Sequence, residues 1–144
     1  MDDGEEHEAT LLQIRARLYY LDKASNVWKE RGAGNLKINV PIECVDIDET
    51  TKAPFPGSFD ASALADSKKN ARLVMRQDST HRVILNTTLI PSLIFKEISG
   101  LKANRIIFTA YEAEGAVSVQ IKVRTEGLFR QHRLTRSIGE CSQR

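Results

Sequence analysis

The stretch Trp28-Lys29-Glu30-Arg31-Gly32-Ala33-Gly34-Asn35-Leu36-Lys37 sets the chain's lone tryptophan beside alternating charges and two closely spaced glycines. Those residue types suit contact with another molecule rather than bond-making, because an aromatic side chain supplies contact area and flanking charges supply orientation. Gly32 and Gly34 weaken a strand interior, so they predict a bulge, a sharp bend or a close approach of another backbone. A phosphate-loop reading of Gly32-Ala33-Gly34 fails. It lacks the third glycine of the dinucleotide fingerprint and the Gly-Lys-Ser/Thr of a nucleotide-binding loop, and it lies within a strand.

Catalytic chemistry is not set up elsewhere. His7, His81 and His132 are scattered, without the i,i+4 spacing or cysteine partners of a metal site, and read as ordinary surface histidines. No serine or carboxylate sits in a nucleophile elbow or similar context. The expectation is a protein that is not an enzyme and needs no cofactor. The strands also lack the aromatics interleaved with basic residues that stack bases, which argues against direct nucleic-acid binding.

At 144 residues, 41% hydrophobic and 28% charged, the chain has the composition of one ordinary globular domain able to bury a sizeable core. No apolar run approaches the ~18 residues of a membrane span. The N-terminus opens with acids instead of a basic-then-apolar signal, so a reducing cytosolic or nuclear compartment is expected, with Cys44 and Cys141 as free thiols and Asn86-Thr87-Thr88 unglycosylated. A net charge of +2 hides polarity: Asp2, Asp3, Glu5, Glu6 and Glu8 form an acidic arm, and Lys122, Arg124, Arg130, Arg133, Arg136 and Arg144 a basic end. That asymmetry favours a partner with complementary patches, or else serves solubility alone.

The elements that must position the Trp28 stretch follow from periodicity. Residues 1–9 are too polar to fold alone and read as a flexible arm. From Leu12, alternation of Ile14, Ala16, Leu18 and Tyr20 with Arg15, Arg17, Tyr19 and Leu21 predicts a half-buried strand. The turn residues from Asp22 to Asn26 lead into the Trp28 strand as a hairpin, and Leu36, Ile38 and Val40 alternate until Pro41. Residues 41–70, rich in Pro, Ser, Asp and Ala, read as a long insertion. Phe55 and Phe59 sit in its middle, more as a mobile tip than as a docking element. Arg72–Arg76 and Arg82–Asn86 predict a second hairpin that puts Arg72, Val74 and Arg76 on one face, where the arginines either meet internal acids or await an anionic partner. Further strands are predicted at Leu93–Ile98, Arg105–Tyr111 and Ala116–Val123, followed from Thr125 by a helix through Leu128, Phe129, Leu134 and Ile138. Seven strands in succession without helical crossovers predict an antiparallel barrel or sandwich.

These residues resemble the Ran-binding domain family. Arg15-Ala16-Arg17-Leu18-Tyr19 looks like its opening strand, Trp28 to Gly34 is similar to its most specific signature, and Arg72-Leu73-Val74-Met75-Arg76 with Val83-Ile84-Leu85-Asn86 looks like its central hairpin. Gly4-Glu5-Glu6 also has a counterpart. Arg82 to Thr87 and Ile106 to Ala110 look closest to the Ran-binding-protein-3 and Yrb2-like branch, while the insertion after Val40 exceeds the family's usual loop. The resemblance implies a pleckstrin-homology-like fold of seven antiparallel strands with a closing C-terminal helix. It implies binding of the small GTPase Ran in its GTP state and, for this branch, a nuclear protein assisting exportin-1 (Crm1) in export.

On that reading Lys37, Arg72 and Arg76, with Asn86 in the same hairpin, face Ran's acidic tail. Glu5, Glu6 and Glu8 reach a basic patch on the GTPase. Trp28 is then the anchor or, alternatively, a tryptophan packed in the core; Lys29, Glu30 and Arg31 lie beside it, with Glu30 and Arg31 giving polar specificity, and Gly32 and Gly34 let the strand bend. A different class of function, a pleckstrin-homology-like adaptor for phosphoinositides or proline-rich peptides, needs basic residues clustered in the first hairpin loop, where the chain has only Lys23 and the second strand's Lys29 and Arg31.

Overall fold

The structure is a computed structural model and describes residues 7–66, 69–89, 94–98, 103–112, 115–124 and 138. Its strands are β1 (Glu8–Asp22), β2 (Val27–Pro41), β3 (Arg72–Gln77), β4 (Val83–Thr88), β5 (Phe95–Ile98), β6 (Ala103–Glu112) and β7 (Gly115–Arg124). All seven lie antiparallel in one sheet, ordered β4-β3-β2-β1-β7-β6-β5, which is the seven-stranded architecture the resemblance implies.

The two 15-residue strands at the centre govern its shape. β1 pairs with β2 along its length but with β7 only from Arg17 to Tyr20, so the halves of the sheet separate towards the start of β1. Beyond the shared segment the outer strands curl together. The Tyr111 amide on β6 donates to the Thr87 hydroxyl on β4 at 3.0 Å, joining strands from opposite halves of the sheet order.

Alternation in β1 buries Leu12, Ile14, Ala16 and Leu18 and exposes Gln13, Arg15 and Arg17. Leu36, Ile38 and Val40 of β2, Leu73 and Met75 of β3, Leu85 of β4, Ile106 of β6 and Ile121 of β7 complete a fully enclosed core. Removing each such aliphatic side chain from water stabilises the fold by roughly 1.5–3 kcal/mol. Past Leu18 the expected alternation stops: Tyr19, Tyr20 and Leu21 are all half-buried, because the register with β2 shifts there.

The N-terminal boundary differs from the sequence reading, since β1 begins at Glu8 inside the expected arm. The 41–70 segment differs more. Pro41 ends β2 and a 3-10 turn follows at Ile42–Cys44. A small hairpin then closes through an Ile47–Pro54 bridge, with the Asp48 amide donating to the Ala53 carbonyl at 2.8 Å and the Phe55 amide to the Asp46 carbonyl at 2.8 Å. Helix α1 (Ala61–Asp66) starts from Asp60, whose Oδ1 accepts from the amides of Ser62 at 2.9 Å and Ala63 at 3.3 Å. Cys44, Val45 and Leu64 are buried and Phe59 packs against the core, so this part is built into the domain and is no mobile tip at Phe59. A six-residue helix and a single bridge are too short to produce a readable period.

Ile138 is helical and buried in the core. The remainder of the expected closing helix, including Leu128, Phe129 and Leu134, lies outside the described residues, as do Glu5, Glu6, Leu93 and Cys141. No helix among the described residues is long and apolar enough to cross a membrane.

Candidate protein-binding site

The Trp28 stretch is split by a bulge. Leu18 stands opposite Gly32 and Tyr19 opposite Glu30, leaving Arg31 as the extra residue of β2. A bulge re-aims the side chain at the unpaired position. Here Arg31 Nη1 donates to Glu112 Oε1 at 3.0 Å and Oε2 at 3.2 Å and to the Ile84 carbonyl at 3.1 Å, while the guanidinium carbon lies 5.1 Å from the centre of the Tyr20 ring. The Arg31 and Glu112 side chains are only 23% and 24% exposed. Arg31, expected to give polar specificity, has its guanidinium engaged within the domain, where it ties β2 to β4 and β6.

The glycines have separate roles. A Cβ on Gly34 would run into the Arg76 carbonyl oxygen of β3, so that position needs the close backbone approach its composition suggests. At Gly32, where φ is +157°, a Cβ would meet only the tips of Ile84 and Gln77 side chains, Ile84 Cδ1 at 2.9 Å.

On the N-terminal side of the bulge, Lys29 and Glu30 face solvent. Trp28 is half-buried, stands opposite Leu21 and is not a member of the core cluster. Lys29 Nζ contacts Asp22 Oδ2 at 2.7 Å, and this pairing holds the Asp22 carboxyl below its ordinary range, helped by the Ser25 hydroxyl and the Ala24 amide. Glu30 Oε1 accepts from Arg17 Nη1 at 3.0 Å. An open notch of about 340 Å³ runs from Glu30 to Ala33 and is walled on its far side by Gln77, Asp78 and Ser79 of the β3–β4 turn. That turn is pinned by Arg15, whose Nη1 and Nη2 reach Asp78 Oδ1 and Oδ2 at 2.7 and 2.6 Å; the paired guanidinium pushes the Asp78 carboxyl down.

The expected basic face is divided. Lys37 stands between Gln13 and Val74 in the cross-strand register, and Arg76 lies opposite Asn35 with its Nη1 donating to the His81 carbonyl at 2.8 Å. Arg72 meets an internal acid. Its Nε donates to Glu8 Oε1 and Oε2 at 2.9 and 2.8 Å, its Nη2 to Oε1 at 2.8 Å, and its Nη1 to Asn86 Oδ1 at 2.9 Å. The Arg72 and Glu8 side chains are 12% and 13% exposed, and Asn39 Nδ2 adds a bond to Glu8 Oε1 at 3.3 Å. Glu8 thus belongs to the fold and not to an arm that reaches outwards, which corrects that expectation, while Arg72 follows the first of its two expected alternatives, an internal acid, with Asn86 bonded beside it.

The structure places Trp28 and Glu30 on one face of β2 and Lys29 on the other, with Glu30 lining the notch and Lys37 and Arg76 further along the sheet. Glu112, Tyr20, Arg15 and Asp78 were missed in the sequence. The only available signal for Glu112 was its place at a strand end before Gly115, which says nothing about which arginine it meets. Among the described residues no cluster of three His, Cys, Asp or Glu side chains exists that would hold a metal ion.

The model of the RanBP1 domain matches residues 1–43 and 62–144, passing over the small hairpin. The chain is 49% identical over 124 residues to the nucleoporin NUP56 of Chaetomium thermophilum, covering 85% of this chain and 23% of that protein. It is 33% identical over 136 residues to the brefeldin A resistance protein of Schizosaccharomyces pombe, covering 90% and 29%, and 34% identical over 112 residues to mouse Ran-binding protein 3, covering 78% and 18%. The chain thus spans less than a third of the length of these curated relatives. The crystal structure of the Ran binding domain from Nup2 of Ashbya gossypii superposes with a TM-score of 0.65 at 21% identity, covering 96% of this chain and 97% of that one, and has the same fold. Because the family's model extends over both halves of the sheet, from the Trp28 stretch to the end of β7 and beyond, the chain belongs to the RanBP1 domain family.

Proposed function

We propose that this domain binds the small GTPase Ran in its GTP-bound form, without catalysis of its own, and serves as a cofactor of exportin-1 (Crm1) in protein export from the nucleus, in the nucleus or at its pores. Family membership, joined to the accessible position of Trp28, carries the reading. A tryptophan outside the core, flanked by Lys29 and Glu30 and beside an open notch, has the make-up of a binding hot spot: an aromatic anchor ringed by charges that orient the partner. Relatives named as a nucleoporin and as Ran-binding protein 3 support the nuclear setting.

The exposed charges near Trp28 are paired within the chain, Lys29 with Asp22 and Glu30 with Arg17. Exposed pairs of this kind contribute little in water, so a partner can exchange them at little cost. The deciding experiment is a pull-down of Ran loaded with a GTP analogue or with GDP, each with and without Crm1. The expected outcome is preference for the GTP form and stronger capture when Crm1 is added. Equal binding to both nucleotide states would overturn the Ran-GTP reading, and indifference to Crm1 would remove the export-cofactor role.

A further inference from the structure

Cross-strand register sets three cations in a line. Arg17 of β1 stands opposite Lys122 of β7, and Lys122 opposite Arg105 of β6, so the line crosses neighbouring strands over about 10 Å. Like charges placed directly opposite one another repel, and a surface built for solubility alone intersperses the two signs. The same face of β5, β6, β7 and β1 from Gln13 onwards also holds Arg15 and Lys96 and, among the described residues, no aspartate or glutamate. Asp78 and Glu30 reach Arg15 and Arg17 from outside these strands, whereas among the described residues no ion pair meets Lys96, Arg105 or Lys122.

A second row runs alongside, two residues further along each strand and about 7 Å away: Tyr19 of β1, Gln120 of β7 and Ile107 of β6, ending at Lys96 of β5. Tyr19, Gln120 and Ile107 are half-buried, while Arg105 and Lys96 are exposed. Half-buried side chains on paired strands are already held by their neighbours, so little ordering entropy remains to be lost on binding. Taken strand by strand, the sequence lacks aromatics interleaved with basic residues. Pairing across strands is what brings Tyr19 and Ile107 alongside the cations.

A line of charge on an open sheet face fits a linear polyanion better than a compact headgroup, and the neighbouring row selects which polyanion. An acidic peptide carries its charge at side-chain tips and has nothing planar to lay on Tyr19 and Ile107. A single-stranded nucleic acid has phosphates along one side and bases along the other, and sheet faces that bind single strands combine a cationic track with a stacking platform. We infer that the β1–β7–β6 face binds a single-stranded nucleic acid, with phosphates on Arg17, Lys122 and Arg105 and bases stacked on Tyr19 and Ile107. The Gln120 amide, which can both donate and accept, lies between them to meet a base edge.

The test uses the intact chain without Ran, and so stands apart from the Ran reading. A fluorescent twelve-nucleotide oligouridylate is titrated by anisotropy, beside an abasic strand of equal length and a twelve-residue oligoglutamate. The oligouridylate is expected to bind at least tenfold tighter than either control. Contacts from the three cations give an expected log–log salt slope of about −2, or about twentyfold weaker binding for a fourfold rise in salt. Arg105→Ala and Lys122→Ala are each expected to weaken binding at least threefold and to flatten the slope by about 0.7. Tyr19→Ala is expected to weaken it about tenfold at unchanged slope, the mark of lost stacking rather than lost charge. Arg105 is exposed, so its variant keeps the proposal open to refutation should Tyr19→Ala fail to fold. Equal binding of the abasic strand would reduce the effect to general electrostatics and overturn the proposal. Oligoglutamate binding as tightly as the oligouridylate would assign the face to an acidic peptide, and a salt slope untouched in both cation variants would place the strand elsewhere; either result overturns it.

Discussion

Arg31 Nη1 lies 3.0 Å from Glu112 Oε1, joining the bulged residue of β2 to the end of β6 across 81 positions of sequence. The pair is three-quarters buried and shares its guanidinium with the Ile84 carbonyl and the Tyr20 ring, so it fastens the sheet where its halves meet.

Arg31→Ala is expected to lower stability by about 2 kcal/mol, the usual loss for a charged hydrogen bond whose partner stays partly buried. Urea unfolding of Arg31→Ala, Glu112→Ala and the double variant checks this. A coupling of about 1 kcal/mol or more marks the pair as structural, whereas strictly additive losses would deny it.

Trp28 should behave in the opposite way. It stands outside the core cluster, so Trp28→Ala is expected to change unfolding by less than about 1 kcal/mol and to weaken Ran-GTP binding by about 2 kcal/mol, close to thirtyfold. Calorimetric titration and thermal melts on the same sample separate the two effects. Collapse of the fold would return Trp28 to a structural role.

Acid should loosen the outer face. Hydrogen bonding to Arg15 lowers the Asp78 carboxyl below its ordinary 3.8, and Lys29 does the same to Asp22. A folded-state value below the unfolded one means that the stabilisation is present above about pH 4 and is lost as pH falls through the lowered value. Unfolding midpoints are expected to hold between pH 7 and 5 and to drop towards pH 3. In Asp78→Asn the drop is expected to be smaller, and an identical acid profile would rule the pair out as a contributor.

Burial raises the Cys44 thiol above its ordinary 9.0, and the residue is enclosed at the end of the 3-10 turn. In a Cys141→Ser background, a maleimide at pH 7.5 is expected to label Cys44 only as fast as the 42–66 segment opens, and at least a hundredfold slower than in urea. Rapid native labelling would show that the segment is not packed on the core.

The sequence determined a good deal unaided. Strict alternation at Leu12, Ile14, Ala16 and Leu18, and at Leu36, Ile38 and Val40, is enough to predict half-buried strands, because a one-residue slip would turn the whole apolar set into water. Turn chemistry after Asp22 and after Gln77 located both hairpins, and the absence of crossover helices predicted the antiparallel sheet. Even the need for glycine at position 34 was readable, though not that the Arg76 carbonyl is what approaches it.

Tertiary structure alone decided which charges are spent inside the molecule. Period-2 alternation gave the face of Arg72 but not its partner Glu8, 64 residues away, and the bulge that turns Arg31 to Glu112 depends on a register between strands. The packing of Cys44 and Leu64 into the core was equally hidden, since so brief a turn and helix carry no period. Local periodicity reports which side of an element faces the core, whereas ion pairs, barrel closure and grooves arise from contacts between elements. Those distances exist only once the sheet has curled.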